Sequence, residues 1–208
     1  MGNDLKIGPD YTLEEALQND GYRFICGVDE AGRGPLSGPV VAAACILPLH
    51  REISGLNDSN KLSPQTRDEL FDEIKEKALA YGIGMASPEE IDRINILNAT
   101  MLAMKRAIAA LPLPADFAII DGNTAKDFPL PVKTVIKGDA VCCSVSAASI
   151  LAKVTRDRIC MEDDLKYPAY GFAKHKGYGT AQHMKVLRDI GPCPIHRKTF
   201  LGFLQEKK

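Results

Sequence analysis

Short apolar runs bounded by Gly, Pro and Asp alternate along this chain with longer stretches in which apolar residues recur at helical spacing. The first pattern suits strands buried on both faces, and the second suits helices with one buried face. Phe24-Ile25-Cys26-Gly27-Val28 is a run of the first kind, ending in the turn-rich Asp29-Glu30-Ala31-Gly32-Arg33-Gly34. The Val- and Ala-rich stretch 38–47 reads as its neighbour, the two forming a hairpin-type unit with polar residues at its open end. Ser63 and Pro64 supply an N-cap and a first helical residue for a helix to about position 80, with Leu70, Phe71, Ile74 and Ala78 as its apolar stripe. Positions 81–86 read as a third strand. Ser87-Pro88-Glu89-Glu90 repeats the capping signal before a short helix, and 95–111 is a further helix.

Asp116-Phe117-Ala118-Ile119-Ile120 is the cleanest buried-strand run, and it delivers Asp121-Gly122-Asn123 at its carboxyl end. Positions 132–136 make another strand, followed by Lys137-Gly138-Asp139. Small and branched residues over 140–165 predict one long helix against the sheet. The stretch 167–180, rich in Tyr, Gly, Lys and His, has the composition of a substrate-facing loop, and Thr180 caps a helix to about 190. Strands first with helices interleaved give an α/β class with a mixed sheet. No repeat or low-complexity linker divides the chain, so residues 1–208 are expected to form one domain with its core at about 24–200.

Composition supports this reading: 45% hydrophobic and 25% charged content in 208 residues suffices for one packed core. No basic start leads into an apolar run and cleavage site, and no apolar run approaches the roughly 18 residues of a bilayer span. A soluble, cytoplasmic protein is expected. Cys26, Cys45, Cys142, Cys143, Cys160 and Cys193 contain no C-x-x-C pair and are expected to be reduced. The adjacent Cys142 and Cys143 read as small thiols on a buried helix face rather than a redox or soft-metal device. The net charge of −1 hides an asymmetry: 133–208 carries 14 Lys and Arg against 7 Asp and Glu, the remainder 12 against 20. A protein with an acidic half for cations and a basic half for a polyanion fits this, as does a dipolar surface without a partner.

Three ends of strands carry acids: Asp29 and Glu30 after the first, Asp121 after the fourth and Asp139 after the fifth. Sites in open α/β sheets form at such ends. Carboxylates forced together raise one another's pKa, so four of them imply a divalent cation that neutralises the cluster. Oxygen ligands without a Cys or His set favour magnesium or manganese over zinc. Two such ions about 3.5–4 Å apart would activate a water and stabilise the leaving oxygen in phosphodiester hydrolysis. Taken singly, each acid reads more readily as a turn or cap residue; Asp29-Glu30, behind an apolar strand and before Gly-Arg-Gly, fits that role least.

Gly32-Arg33-Gly34-Pro35-Leu36-Ser37-Gly38 matches neither phosphate-loop template, since its third glycine is one residue late for G-x-G-x-x-G and no G-K-[ST] follows. Its glycines could still bring backbone groups against a nucleic-acid strand, with Arg33 for a phosphate. Lys174-His175-Lys176-Gly177-Tyr178-Gly179 sets a tyrosine able to stack on a sugar or base among lysines for phosphates, although basic loops with a tyrosine are common.

The run Gly27-Val28-Asp29-Glu30-Ala31-Gly32-Arg33-Gly34-Pro35-Leu36-Ser37-Gly38-Pro39-Val40 resembles the opening signature of bacterial ribonuclease HII, the type 2 ribonuclease H. Asn57-Asp58-Ser59, Ser87-Pro88-Glu89-Glu90, Asp121-Gly122, Lys137-Gly138-Asp139, the stretch from Ala147-Ala148-Ser149 through Thr155-Arg156-Asp157-Arg158, His175-Lys176-Gly177-Tyr178 and Pro194-Ile195-His196-Arg197 recur in that family in the same order. The resemblance, spanning about 24–200, implies an RNase H-like fold with a central five-stranded mixed sheet flanked by helices. It implies hydrolysis of the RNA strand of RNA–DNA hybrids and incision 5′ of ribonucleotides embedded in duplex DNA, leaving 3′-hydroxyl and 5′-phosphate ends. Asp29, Glu30, Asp121 and Asp139 would be the catalytic metal ligands for Mn2+ or Mg2+. Gly32, Arg33 and Gly34 would read the ribose 2′-hydroxyl through their backbone, Tyr178 would stack on the following deoxyribose, and Lys61 would contact a phosphate. A monomer that removes misincorporated ribonucleotides and RNA primers is the family expectation.

The chain departs from the family twice. Asp58-Ser59-Asn60-Lys61-Leu62 stands where the family usually has Asp-Ser-Lys-Lys-Leu, and Val141-Cys142 where a cation and a serine commonly follow the last aspartate. Both departures should weaken backbone binding more than the chemistry. Two rival readings are a resolvase- or transposase-like nuclease of the same fold, which has no use for a ribose sensor, and a non-enzymatic nucleic-acid-binding module, which leaves four converging acids unexplained.

Overall fold

A computed structural model describes residues 8–204 apart from positions 50 and 52. In chain order the elements are α1 (Thr12–Asn19), β1 (Ile25–Ala31), β2 (Val40–Ile46), α2 (Pro64–Lys77), β3 (Ala80–Ala86), α3 (Pro88–Ala109), β4 (Phe117–Asp121), β5 (Val132–Val135), α4 (Gly138–Val141), α5 (Cys143–Lys166), α6 (Phe172–His175) and α7 (Ala181–Ile190), then two 3-10 turns. The five strands form one mixed sheet in the order β3-β2-β1-β4-β5. β2 is antiparallel to β1 and β3, whereas β4 runs parallel to β1 and β5 parallel to β4. The expected mixed α/β architecture is therefore present.

Side chains alternate across the strands and sort the core into two layers. Val28, Val40, Ala42, Ala44 and Ile120 pack with α3, while Ala43 and Cys45 pack with α2 and α5 on the other face. Gly27 lets α5 approach closely, since a Cβ there would lie 2.1 Å from the Ser144 carbonyl carbon. Ile150 is fully buried on α5, and its truncation to alanine would cost about 2–5 kcal/mol.

Four local features differ from the sequence expectation or were not anticipated by it. β1 continues through Ala31, so Asp29 and Glu30 lie within the strand rather than after it. The extra residues are held because Asp29, Glu30 and Ala31 pair with Ala43, Ala42 and Val41. The helix expected over 140–165 is broken at Cys142, which is extended at φ −126° and ψ 123°. The segment around Asp10 causes the break: Asp10 N–H donates to Val141, and Cys143 N–H donates to Asp10, at 3.2 and 3.1 Å. α1 was not anticipated; its Glu14, 2% exposed, accepts from the Ser144 N–H at 2.9 Å and so caps α5 from a distance. The stretch 167–180 is not wholly a surface loop, since Phe172 and His175 are buried in the single turn α6. The two helices expected over 88–111 are present as segments of α3, joined at a kink where Asn95 has φ 65° and its side chain caps the second.

Candidate active site

Consecutive residues of a strand face opposite sides, and Asp29 and Glu30 use this to reach around the end of the sheet. Asp29 is 6% exposed and lies on the α5 side, beside Ser149. Glu30 lies on the α3 side, in a groove of about 80 Å3 that it shares with Arg33, Thr100, Met104, Asp121 and Asn123. Asp121 joins them through the parallel pairing of β1 with β4. That register sets Val28 opposite Ile120, so the next residue on each strand is an aspartate. Asp139 arrives through a tight turn after β5, in which Lys137 takes the left-handed conformation at φ 56° and Gly138 N–H donates to Asp121 Oδ1 at 2.6 Å.

Burial holds all four carboxyls above their usual range, and the acids reinforce one another. Asp29 is raised by desolvation and then by Glu30 and Asp121. Glu30 is raised by desolvation and by Asp121, against the pull of Arg33, whose Nη1 lies 3.4 Å from Glu30 Oε1. Asp121 is raised by desolvation and, more weakly, by Asp58. Asp139 is pushed up to about 6 by desolvation, then by Asp58 and Asp121. The sequence reading assigned Asp58 no role. Its place in the Asn57-Asp58-Ser59 motif was visible, but only the fold brings it within the field of Asp121 and Asp139. Lys61 stands exposed in the same turn, its N–H on the Asp58 carbonyl at 2.9 Å.

The loop leaving β1 is built on two buried arginines that the sequence reading also left without a role. Arg197, 0% exposed, donates to the carbonyls of Gly32, Arg33 and Gly38 at 2.6, 3.0 and 2.9 Å. Arg156, 2% exposed, donates to Ser37, Pro39 and Lys176 at 3.2, 3.3 and 3.0 Å. Gly32 is required here, because its φ is +95° and a Cβ would meet Arg156 Nε at 2.0 Å. The loop's carbonyls at Gly32, Arg33 and Gly38 are thus held from behind. Tyr178 stands beside it, 45% exposed, with Cε1 3.5 Å from where a Gly34 Cβ would be.

Behind Tyr178 lies a chain of buried histidines with one consistent set of tautomers. Cys193 N–H donates to His196 Nδ1 at 3.0 Å, the two Nε2 atoms of His196 and His183 lie 3.0 Å apart, and His183 Nδ1 meets the Tyr178 carbonyl at 2.9 Å. A carbonyl only accepts, so His183 carries its proton on Nδ1 and His196 on Nε2. Burial lowers both pKa values, that of His196 to about 4. The cysteines are free thiols, Cys142 and Cys143 among the buried ones, and burial pushes the Cys142 thiol up.

A mixed sheet of this order with acids at the ends of its central parallel strands defines an RNase H-like fold. The ribonuclease H2 of Pyrococcus horikoshii OT3 shares it, with a TM-score of 0.71 and 27% identity over 89% of this chain and 100% of that one. The family model for ribonuclease HII matches residues 26–202. Proteins named ribonuclease HII from Syntrophotalea carbinolica and Geobacter metallireducens are each 53% identical, over 94% and 92% of this chain and 93% and 90% of their own length. The chain belongs to the ribonuclease HII family. It is a hydrolase of the ribonuclease H class, an endonuclease acting on nucleic acid.

Proposed function

We propose that this protein hydrolyses the RNA strand of RNA–DNA hybrids and cuts 5′ of a ribonucleotide embedded in duplex DNA, leaving 3′-hydroxyl and 5′-phosphate ends. The observation that carries the reading is the junction itself: the acids at the end of β1 run directly into a loop whose carbonyls are engaged by Arg197, beside an exposed tyrosine. The backbone of Gly32, Arg33 and Gly34 would read the ribose 2′-hydroxyl, the group that separates RNA from DNA. Tyr178 is available to stack on the next sugar, and Lys61 to take a phosphate.

Asp29, Glu30, Asp121 and Asp139 would hold Mn2+ or Mg2+. Their chemistry fits: hard oxygen donors, partly buried and mutually repelling, are stabilised by a divalent cation. Among the described residues no three Asp, Glu, His or Cys side chains are already drawn close enough to ligate one ion, so binding would include side-chain adjustment. A two-metal site supplies an activated water and charge for the leaving oxygen. The protein's own part is to fix the carboxylates on adjacent strands, to hold Asp121 through Gly138, and to set the ribose beside them. A single catalytic domain is supported by one family match over 26–202. On the same reading it acts as a cytoplasmic monomer; among the described residues no helix is long and apolar enough to cross a membrane.

The test is a DNA duplex containing one ribonucleotide, with magnesium or manganese, against the same duplex lacking the 2′-hydroxyl. Cutting of the first alone, on the 5′ side and abolished by EDTA, is expected. Equal cutting of both duplexes would replace this reading with that of a DNA nuclease.

A further inference from the structure

A cleft of about 530 Å3 lies between α2 and α5, lined by none of the four carboxylates, where Arg67, Lys153, Arg158 and Lys176 outnumber Asp68 and Asp157. Arg158 Nη2 donates to Asp68 Oδ1 at 3.0 Å and Arg67 Nη2 stands 3.7 Å from Asp157 Oδ2, whereas the two lysines are less well matched. Lys176 Nζ rests on the Met161 thioether at 3.4 Å, a weak acceptor for an ammonium. Lys153 Nζ stands 3.8 Å from Asp157 Oδ1, beyond hydrogen-bond range. Arg67, 8% exposed, donates from Nη1 to the Ser59 and Leu62 carbonyls, while its Nε has no hydrogen-bond partner. That Nε is itself buried, as is the unpartnered Asp157 Oδ1, so the less well matched cations left for an outside anion are Lys153 and Lys176.

The cleft is elongated and aligned with the active site. Lys153, Asp157 and Met161 follow one face of α5, so it runs about 12 Å along the helix at 1.5 Å per residue. Its near end begins one turn beyond Ser149, which bonds to Ser59 Oγ at 2.9 Å and lies beside Asp29. Its wall includes Lys176, two residues before Tyr178 and with its carbonyl held by Arg156 at 3.0 Å. It thus joins the turn bearing Lys61 to the segment bearing Tyr178. One strand of a duplex presents a phosphate every ~3.4 Å of axial rise, so a groove of this length has room for a row of more than one successive phosphate. Cations spread along a groove suit such a row better than they suit one compact anion.

We propose that this cleft seats successive backbone phosphates of the duplex flanking the cleavage position. The proposal rests on the hybrid-nuclease reading for its ligand. It is tested by binding, so that the two can fail separately. The probe is a fluorescent all-DNA duplex titrated by anisotropy across a salt series, with Lys153→Gln, Lys176→Gln and Arg158→Gln. Lys185→Gln, on exposed α7 and paired to Asp189 at 2.5 Å, is the control. Each cleft variant should reduce the slope of log affinity against log salt by about 0.9, the value for one lost contact, and the control should not. Neutral methylphosphonates placed one at a time should weaken wild-type binding at adjacent positions and have no further effect on the Lys153→Gln, Lys176→Gln double variant. Arg158 and Lys176 lie towards the surface, so their variants test the proposal even if Lys153→Gln fails to fold. Unchanged slopes in folded cleft variants would overturn it, whether or not the wild type cuts a ribonucleotide. Displacement of the duplex by inorganic phosphate at matched ionic strength would overturn it too, by showing a site for a single free anion.

Discussion

Arg197 donates from Nη2 to the Gly32 carbonyl at 2.6 Å, so a residue near the carboxyl end of the chain fixes the loop that leaves the first strand. The same guanidinium holds Arg33 and Gly38, and no lysine can reach three carbonyls in a planar fork. Burial lowers its pKa to about 9, a cost met by those three bonds. Arg197→Met should leave two buried carbonyls short of a donor, each worth about 1–3 kcal/mol, with the half-buried Arg33 carbonyl adding less, and lower the melting temperature sharply. Arg197→Lys should fold better and discriminate less between ribose and deoxyribose in paired cleavage assays. Full discrimination in a folded Arg197→Lys protein would separate the loop's geometry from ribose reading.

Asp121→Asn should lower the cleavage rate at least about 100-fold, the upper range for a residue that merely supports a metal ligand. Asp139→Asn should do likewise. In metal-free protein Asp139→Asn should instead stabilise: a carboxyl raised from 3.8 to about 6 opposes folding once pH rises through that window. Melting curves at pH 7.5 with EDTA read this directly, and a lower melting temperature for the variant would contradict the assigned repulsion.

Protons should compete with the metal at the same carboxyl. Below about pH 6, where Asp139 begins to hold its proton, Mn2+ affinity should fall with each further drop in pH. Calorimetric titrations between pH 5 and pH 8 would show it. A flat profile would place the metal elsewhere.

The buried histidines give an acid-side dependence of the opposite sign. His196 is neutral when folded and titrates at about 4 there, against 6.5 unfolded. Its contribution is present above 6.5 and is lost as pH falls from 6.5 towards 4, to a limit of roughly 3 kcal/mol. His196→Asn keeps an acceptor for the Cys193 N–H but cannot titrate. Its denaturation midpoint should therefore change less with pH than that of the wild type over this window, and parallel profiles would remove His196 as the cause.

Asn60 and Val141 are both exposed, at the two positions where the family resemblance leads one to expect a cation. Asn60→Lys and Val141→Lys should each steepen the salt slope of duplex binding by about 0.9 with little effect on the cleavage rate of bound substrate. An unchanged slope would show that neither position meets the backbone.

Much of this protein follows from local sequence. Ser63-Pro64 and Ser87-Pro88 place two helix starts because capping is a contact between near neighbours. The buried strands of β1, β2 and β4 are legible because apolar runs bounded by turns have few other uses. Asp29, Glu30, Asp121 and Asp139 were identifiable as candidates because each follows such a run. Their convergence came from the parallel register that sets Val28 against Ile120, a long-range choice made by packing. The break at Cys142 and the cap from Glu14 also join residues more than a hundred positions apart, beyond any local signal. Asp58, Arg156 and Arg197 show the same limit: an acid or arginine in a motif has a type and a place, but its partners exist only once the chain has folded. The sequence by itself determined the strands, the helix starts and the acids. The tertiary structure alone decided which acids share a field and which carbonyls two buried guanidiniums hold, because Coulomb and hydrogen-bond energies depend on distance in space rather than along the chain.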